Sequence, residues 1–201
     1  RDLKAAHWNG WSWSVEDVYT FGDVGRYAEI DLDSQNNPRI TCFDATNGVL
    51  RISRYDGDVW VTNTVAPSEN TGEGDPYEGV GRIGFAIDDS DSEWYSFYTE
   101  PEDTSSSYCD DCTLSFAHWD SSDGNWAYGT IDDGQGERAD VSDYSEVGKF
   151  SSMAIGADGN PRVAYNSEIW QGRDVLPSGV DYWPLYALRY ADFDGAGWSI
   201  T

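Results

Sequence analysis

Apolar and polar residues alternate along short segments of the chain, which predicts a protein built from β-strands. One pattern occurs four times: a Leu, an aromatic residue five positions later, then a Gly and a Trp. The four copies are LKAAHWNGWSW from Leu3, LRISRYDGDVW from Leu50, LSFAHWDSSDGNW from Leu114 and LRYADFDGAGW from Leu188. Gly beside Asp or Asn tolerates the positive φ of a tight turn, so each copy predicts a β-hairpin.

A second pair of strands is predicted between successive hairpins. Its anchors are a Gly and a later Pro or Trp, at Gly25 and Pro38, Gly81 and Trp94, and Gly148 and Pro161. The segments that follow, RITCF, YSFYT and RVAYN, carry the β-branched and aromatic residues typical of strands. In the middle copy Phe85 and Ile87 sit one place off the pattern of the other two, which predicts a β-bulge or a shifted register there.

The order of these strands predicts the architecture. We name the pair after the Gly A and B, and the hairpin C and D, so that the chain reads C-D followed by three A-B-C-D units. The repeats begin near residues 3, 50, 114 and 188. Repeated units of four antiparallel strands are typical of β-propeller blades. The predicted fold is therefore all-β, a single β-propeller-like domain over residues 1–201 with three four-stranded blades and an extra hairpin; a β-sandwich is the structural alternative.

The sequence motif of the repeats resembles that of a known group of proteins. L-x-x-A-x-W-D-G-x-x-W, followed by G-x-x-S-x-x-I-x-x-D-x-x-G-N-P-x-V-A-Y, is similar to the repeats of secreted bacterial and archaeal β-propeller proteins, which are mostly uncharacterised or lectin-like. The resemblance implies a fold and little about activity, because propellers serve binding, hydrolysis, lyase chemistry and scaffolding. Three blades are too few to close a ring. We therefore expect a longer chain that continues on the N-terminal side, or a ring or array completed by another subunit.

Charge narrows the choice of partners. Lys and Arg number 12 against 37 Asp and Glu, which gives a net charge of -25. Nucleic acid and anionic membranes are excluded as partners because they would be repelled, and no apolar run is long enough to predict membrane insertion. A surface rich in Asp and poor in Lys is compatible with an extracellular protein, either secreted or at the cell surface.

The binding face is predicted on one rim of the propeller. Antiparallel blades place the A-B and C-D turns on one rim, here named the turn rim, and the B-C and D-A loops on the other, the loop rim. The long acidic loops 66–80, 99–113, 132–147 and 166–184 all belong to the loop rim. The predicted ligand-binding residues in them are Tyr77, Tyr108, Tyr144, Trp170, Arg173, Tyr182 and Trp183. Such a face suits a carbohydrate, a cation-bridged ligand or a basic protein partner, and the alternative is a merely solvated surface.

The cysteines predict a local cross-link. Cys109 and Cys112 form C-D-D-C in a loop, which favours a disulfide; zinc is the alternative but would need ligands that the sequence does not place nearby. Cys42, in a B strand, is predicted to be a buried free thiol.

Calcium is the one cofactor that the sequence suggests. The weak candidate ligands are Asp31, Asp33, Asp89, Asp91 and Glu93, none of which belongs to a complete calcium-binding loop.

No catalytic residue is predicted. His7 and His118 share a repeat position that also accepts Arg and Asp, which indicates a solvent-facing position. The repeat tryptophans are predicted to pack between blades; they are Trp8, Trp13, Trp60, Trp119, Trp126 and Trp198.

The function predicted from these observations is a non-catalytic extracellular recognition or structural module that binds carbohydrate or a protein partner through the acidic, aromatic loop rim. Two alternatives stay open. One is a carbohydrate-active enzyme, a glycoside hydrolase or polysaccharide lyase, that uses loop carboxylates. The other is a subunit of a larger extracellular assembly, in which loops and edges serve contacts between chains.

Overall fold

The computed structural model describes residues 1–66, 83–99, 112–134, 144–176 and 179–201. Of residues 66, 144–145, 169–176 and 179–184 it describes the backbone only. Every regular element in these ranges is a β-strand. No helix suited by length and hydropathy to crossing a membrane is found in them. The strands are β1 (Leu3–Trp8), β2 (Trp13–Tyr19), β3 (Arg26–Leu32), β4 (Pro38–Asp44), β5 (Val49–Tyr55), β6 (Trp60–Ala66), β7 (Gly84–Ile87), β8 (Glu93–Thr99), β9 (Thr113–Asp120), β10 (Asn125–Asp132), β11 (Tyr144–Ile155), β12 (Pro161–Leu176), β13 (Gly179–Phe193) and β14 (Trp198–Ile200).

The strands of the described part form four antiparallel sheets. β1 and β2 make a two-stranded sheet, here named the N-terminal hairpin. Sheet 1 contains β3 to β6, sheet 2 contains β7 to β10, and sheet 3 contains β11 to β14. Within each sheet the strands lie side by side in chain order, so the A-B-C-D order along the sequence is also the order in space. The all-β prediction, with four-stranded antiparallel sheets, is confirmed.

The pairing register is the same in the three four-stranded sheets. The first residue of each B strand pairs with the last residue of the A strand, in the pairs Leu32–Pro38, Ile87–Glu93 and Ile155–Pro161. The repeat Leu of each C strand likewise pairs with one position of the B strand, in the pairs Phe43–Leu50, Tyr98–Leu114 and Asn166–Leu188. A single alignment therefore relates all three sheets.

This register corrects the anchor residue that the sequence analysis assigned to the middle strand pair. Glu93 takes the position of the two prolines, and Trp94 follows it. The β7–β8 ladder runs without a shift from Gly84–Ser96 to Ile87–Glu93, so the predicted bulge is wrong. The error came from placing the anchor one residue late. The A-B turns have the same length in all three sheets, with a backbone hydrogen bond at the same place in each, from Asn36 to Asp33, Asp91 to Asp88 and Gly159 to Gly156.

Hydrophobic cores lie between successive sheets. The core between the hairpin and sheet 1 contains Leu3, Val24, Ile40 and Cys42. The core between sheets 1 and 2 contains Phe43, Leu50, Ile52, Val65, Ile83, Phe85, Tyr95, Phe97 and Ala117. The core between sheets 2 and 3 contains Leu114, Ile131, Val147, Val163, Tyr165 and Ala191. The sheets therefore stack face to face along the chain, each covering its predecessor.

The tryptophans that begin the D strands pack against these cores, except in the hairpin. Trp60, Trp126 and Trp198 each contact the core shared with the preceding sheet. Trp8 and Trp13 are 48% and 65% exposed, so the prediction that they pack between blades is wrong for this pair. The physical reason is that, among the described residues, no sheet lies on that side of the hairpin.

Candidate functional site

A cleft of about 290 Å³ opens on the face of sheet 2 that looks toward sheet 1. Its walls come from three adjacent strands, β8, β9 and β10. The lining residues are Phe97, Thr99, Thr113, Ser115, Phe116, Tyr128, Gly129 and Thr130. None of these eight described residues is a carboxylate, a His or a Cys, and together they combine aromatic rings with hydroxyl groups.

Cross-strand register brings the hydroxyls of the cleft together. Ser115 pairs with Phe97 on one side and with Thr130 on the other, so these three residues form one row across the sheet. Thr99 and Thr113 pair in the neighbouring row. The Thr99 hydroxyl donates a hydrogen bond to Ser115 Oγ at 2.9 Å, and Thr113 Oγ1 lies 3.2 Å from the same oxygen. The result is a continuous polar band beside the buried Phe97 ring.

Tyr128 forms the aromatic wall of the cleft. The side chain is 44% exposed, and its hydroxyl donates to the Val65 carbonyl of sheet 1 at 2.9 Å. Its ring stacks on Trp126 with centroids 6.0 Å apart and planes 13° apart. Burial raises the pKa of Tyr128, so the hydroxyl stays neutral near pH 7. The structure thus holds one partly exposed aromatic ring in a set orientation next to several hydroxyls, an arrangement suited to a ligand that is both apolar and rich in hydroxyls.

The cleft lies at the predicted loop rim. Thr99 ends β8 and Thr113 begins β9, which are the two strands joined by the B-C segment of sheet 2. Sequence reasoning missed these residues because Thr and Ser are ordinary strand residues. Only the pairing of three strands brings their hydroxyls into one place.

The described backbone places five of the seven predicted ligand-binding residues at or beside adjoining positions of one ladder in sheet 3. Tyr77 and Tyr108 lie outside the described residues. Tyr144, Trp170, Arg173, Tyr182 and Trp183 lie on strands of sheet 3 for which the backbone alone is described. Their role in binding therefore stays a prediction.

The segment 166–184 was predicted to be a loop, and this is wrong. β12 and β13 continue through it as an antiparallel ladder that reaches Leu176–Gly179. Backbone pairing sets Trp170 opposite both Tyr144 and Pro184, and Gly172 opposite Tyr182. Arg173 lies at a register shift in this ladder. The segment exceeds the length of the repeat, and extra length was equated with a loop although the added residues can extend an existing hairpin.

The turn rim contains a buried ionic cluster centred on Glu93. The Glu93 side chain is fully buried between sheets 1 and 2. Arg39 donates to Oε1 at 2.8 Å, and Arg54 donates to Oε1 at 2.6 Å and to Oε2 at 2.5 Å. The Tyr95 hydroxyl donates to Oε2 at 2.5 Å. Burial and the neighbouring Glu93 charge hold the pKa of Tyr95 well above its usual range.

The Glu93 cluster neutralises a like-charge pair. Arg39 and Arg54 face each other across β4 and β5, and two adjacent cations on one sheet repel each other. Glu93 of sheet 2 reaches both, while the Arg54 guanidinium lies 4.9 Å from the centre of the Trp119 ring. Because both carboxylate oxygens already accept hydrogen bonds and neither contacts solvent, this arrangement joins two sheets and leaves no group poised for acid or base chemistry.

A smaller cluster of the same kind joins sheets 2 and 3. The Asp132 carboxylate accepts hydrogen bonds from the Tyr165 hydroxyl at 2.6 Å and from Arg189 at 2.7 Å. The two buried acids Glu93 and Asp132 of sheet 2 are thus satisfied by groups from neighbouring sheets.

Four of the five candidate calcium ligands, Asp31, Asp33, Asp91 and Glu93, accept hydrogen bonds from donors of the protein. Asp31 accepts from the Ile87 backbone, Asp33 from the backbone of Gln35 and Asn37, and Asp91 from Ser34. Among the described residues, no group of three or more His, Cys, Asp or Glu side chains is placed to hold a metal. Calcium binding through Asp31, Asp33, Asp89, Asp91 and Glu93 stays a prediction.

The two histidines differ in environment. His7 is exposed, as predicted. His118 is not simply solvent-facing: it stacks on Trp94 with ring centroids 3.7 Å apart, and these two residues pair across β8 and β9. The same cross-strand position holds Arg39 with Arg54 in sheet 1 and Arg162 with Asp192 in sheet 3. Trp94 and His118 stack, Arg162 and Asp192 form an ion pair at 2.9 Å, and Arg39 and Arg54 are bridged by Glu93 of sheet 2.

His118 predicts a specific dependence of stability on pH. Burial lowers the pKa of His118 from 6.5 despite the opposing charges of Asp120, Asp88 and Asp123. The unfolded state therefore binds more protons than the folded state once the pH falls below about 6.5, and stability decreases there. We expect the thermal unfolding midpoint to decrease as the pH is lowered from about 7.5 to about 5.5. In the variant His118→Phe the midpoint is expected to decrease by less over the same range. His7→Phe serves as the control, and equal slopes for all three proteins would contradict the prediction.

The cysteines behave as two separate groups. Cys42 is buried and free, which confirms the prediction for it. Cys112 is disulfide-bonded. Cys109, its predicted partner, lies outside the described residues.

Comparison with known proteins gives a fold and no family. No protein-family model matches the chain, and no curated protein matches its sequence. Among solved structures, the fold is similar to that of the Hadza microbial sialidase Hz136, with a TM-score of 0.50 and 13% sequence identity over 87% of this chain. The chain spans 36% of that structure's length. At this identity the likeness shows the fold alone, an all-β arrangement consistent with a sialidase-like β-propeller.

Proposed function

We propose that this chain is a non-catalytic extracellular recognition module that binds carbohydrate in the cleft of sheet 2. In this proposal the three four-stranded sheets are propeller blades and the N-terminal hairpin is the outer half of a further blade. The observation that carries the proposal is the lining of the cleft, where Tyr128 presents a partly exposed ring beside the hydroxyls of Thr99, Ser115 and Thr130. A sugar offers apolar ring faces and many hydroxyl groups, which match such a surface.

A binding role accounts for the cleft better than catalysis does. Glycoside hydrolysis requires two carboxyl groups that flank the ligand, and the eight lining residues include none. The buried carboxylates of Glu93 and Asp132 are hydrogen-bonded to arginine and tyrosine within the sheet interfaces. The fold likeness to a sialidase is compatible with a carbohydrate ligand and says nothing of catalysis here.

Two features support an extracellular location in this proposal. Cys112 is disulfide-bonded, and disulfides persist in oxidising compartments outside the cytosol. The net charge of -25 keeps the protein soluble and repels anionic surfaces. Neutral or basic glycans are therefore the expected ligand class, and acidic polysaccharides are expected to bind more weakly at low salt.

The test replaces the aromatic wall of the cleft. A glycan array screened with the protein identifies a ligand, whose affinity is then measured by calorimetry. Tyr128→Ala is expected to weaken binding by about tenfold or more, equivalent to about 1.4 kcal/mol. Tyr128→Phe, which keeps the ring, is expected to stay near the wild-type affinity. Tyr190→Ala removes an equally exposed tyrosine, 40% against 44%, from sheet 3 and is the matched control.

Two results would overturn the proposal. One is the absence of any glycan bound by the folded protein. The other is a glycan whose affinity is the same for Tyr128→Ala and wild type, because the ligand would then lie elsewhere. Circular dichroism of each variant shows that a lost affinity does not come from a lost fold.

A further inference from the structure

The inner edge of the N-terminal hairpin, formed by β1, is open within the described ranges. β5, β9 and β13 each pair with a B strand on their inner edge, namely β4, β8 and β12. β1 holds the same repeat position, yet within the described ranges it pairs with β2 alone. The inner edge of β1 therefore presents backbone N–H and C=O groups in the arrangement that accepts another strand.

The face of sheet 1 beside that edge is half covered. Ile40 of β4 is 4% exposed, since the N-terminal hairpin packs on it. Ile30 pairs with Ile40 across the sheet, yet it is 62% exposed, and Leu32 on the same strand is 50% exposed. The N-terminal hairpin therefore buries only the part of sheet 1 that lies opposite its two strands, and β3 is left exposed.

The equivalent positions in the other sheets show what is normally there. Phe85 of sheet 2 corresponds to Ile30 by register and is 8% exposed, because it lies in the core against sheet 1. Ile87 and Met153 are likewise packed against their cores. In both cases the cover comes from a preceding sheet that has all four strands. An apolar strip that repeats a buried position and an open strand edge thus lie side by side.

We propose that the edge of β1 and the strip formed by Ile30 and Leu32 are one docking site for a β-hairpin of the A-B type. The occupant is a partner segment of two antiparallel strands joined by a five-residue turn, with alternating apolar residues. The register common to sheets 1, 2 and 3 sets its position: the sixth residue of its second strand pairs with Leu3, as Phe43 pairs with Leu50. Backbone hydrogen bonds to β1 supply affinity, and apolar contacts with Ile30 and Leu32 select the sequence.

This site is independent of the cleft. It lies on the opposite side of sheet 1 from sheet 2, and none of its residues lines the cleft. Occupation would turn the two-stranded hairpin into a four-stranded sheet and bury the strip, which continues the established stacking of sheets by one unit.

The test uses a synthetic peptide that copies residues 146–167, the A-B unit of sheet 3. Fluorescence anisotropy of the labelled peptide against the folded protein is expected to show saturable one-to-one binding. Ile30→Asp is expected to weaken binding about tenfold or more, equivalent to about 1.4 kcal/mol. Val59→Asp changes a similarly exposed residue, 53% against 62%, outside the strip and is expected to have no effect. A peptide with proline at the positions of Val163 and Ala164 lacks two backbone donors in the middle of its second strand and is expected not to bind.

Amide hydrogen exchange separates this site from any other. Peptide binding is expected to slow exchange in β1, with β14 as the internal reference. The proposal fails if no saturable binding occurs up to about 1 mM peptide, an affinity of about −4 kcal/mol. It also fails if Ile30→Asp binds as wild type does, or if protection appears elsewhere and not in β1.

Discussion

Replacing Glu93 with alanine is expected to destabilise the protein by about 3–5 kcal/mol. The fully buried carboxylate accepts hydrogen bonds from Arg39, Arg54 and Tyr95. Its removal leaves the two guanidinium groups facing each other with only the more distant Asp33 carboxylate, 3.6 Å from Arg39, as a counter-ion. Arg39 is 8% exposed and has little access to water. The cost therefore arises chiefly from stranded positive charge, and the measurement is urea unfolding followed by tryptophan fluorescence.

Two further variants distinguish this explanation from a simple loss of packing. Glu93→Gln keeps the shape and part of the hydrogen bonding but not the charge, and is expected to lie between wild type and Glu93→Ala. The triple variant Glu93→Leu, Arg39→Met, Arg54→Met removes all three charges and is expected to recover much of the loss, as apolar replacements of buried ion clusters often do.

An exposed ion pair gives the control for Glu93. Lys4 and Asp17 form a pair on the surface of the N-terminal hairpin, with both side chains more than half exposed. Asp17→Asn is expected to leave the unfolding midpoint unchanged within error, because surface pairs contribute little. If Glu93→Ala unfolds at the wild-type urea concentration, Glu93 does not hold sheets 1 and 2 together.

The strand order and most of the register could be predicted from the sequence, because a repeated Leu and a repeated turn mark the same place in each sheet. Leu3, Leu50 and Leu114 are all buried as that pattern requires. Leu188 holds the same repeat position and is 84% exposed. Burial depends on whether a further sheet follows, and a residue's own repeat position contains no information about that neighbour.

The functional surfaces were harder to predict for a related reason. The cleft depends on hydroxyls from β8, β9 and β10, which become neighbours only through cross-strand register. Glu93 was hidden by a one-residue ambiguity, because Trp94 seemed the better match to proline as an anchor. The length of the A-B turn would have resolved it, since this length is the same in all three sheets. Predicting contacts between sheets thus requires the exact register of each strand, whereas predicting the fold class requires only the period of the repeat.

Gly148→Ala is expected to destabilise the protein by about 2–5 kcal/mol, from two separate causes. Gly148 has a φ of +102°, a conformation that costs an alanine about 1–2 kcal/mol. An added Cβ would also lie 2.8 Å from the Cα of Leu114 in the preceding sheet, and overpacking of this kind costs about 1–3 kcal/mol. The second contribution explains why the repeat begins its A strand with glycine: Gly25 approaches the Leu3 backbone in the same way.

Gly57→Ala separates the two causes. Gly57 has a φ of +100°, nearly that of Gly148, but an added Cβ would meet no atom within 4 Å. Its loss of unfolding free energy therefore measures the backbone cost alone, expected at about 1–2 kcal/mol. The excess for Gly148→Ala measures the close approach of sheets 2 and 3. If the two variants lose the same stability in urea unfolding, backbone contact between the sheets does not explain the glycine at this position of the repeat, and backbone conformation alone does.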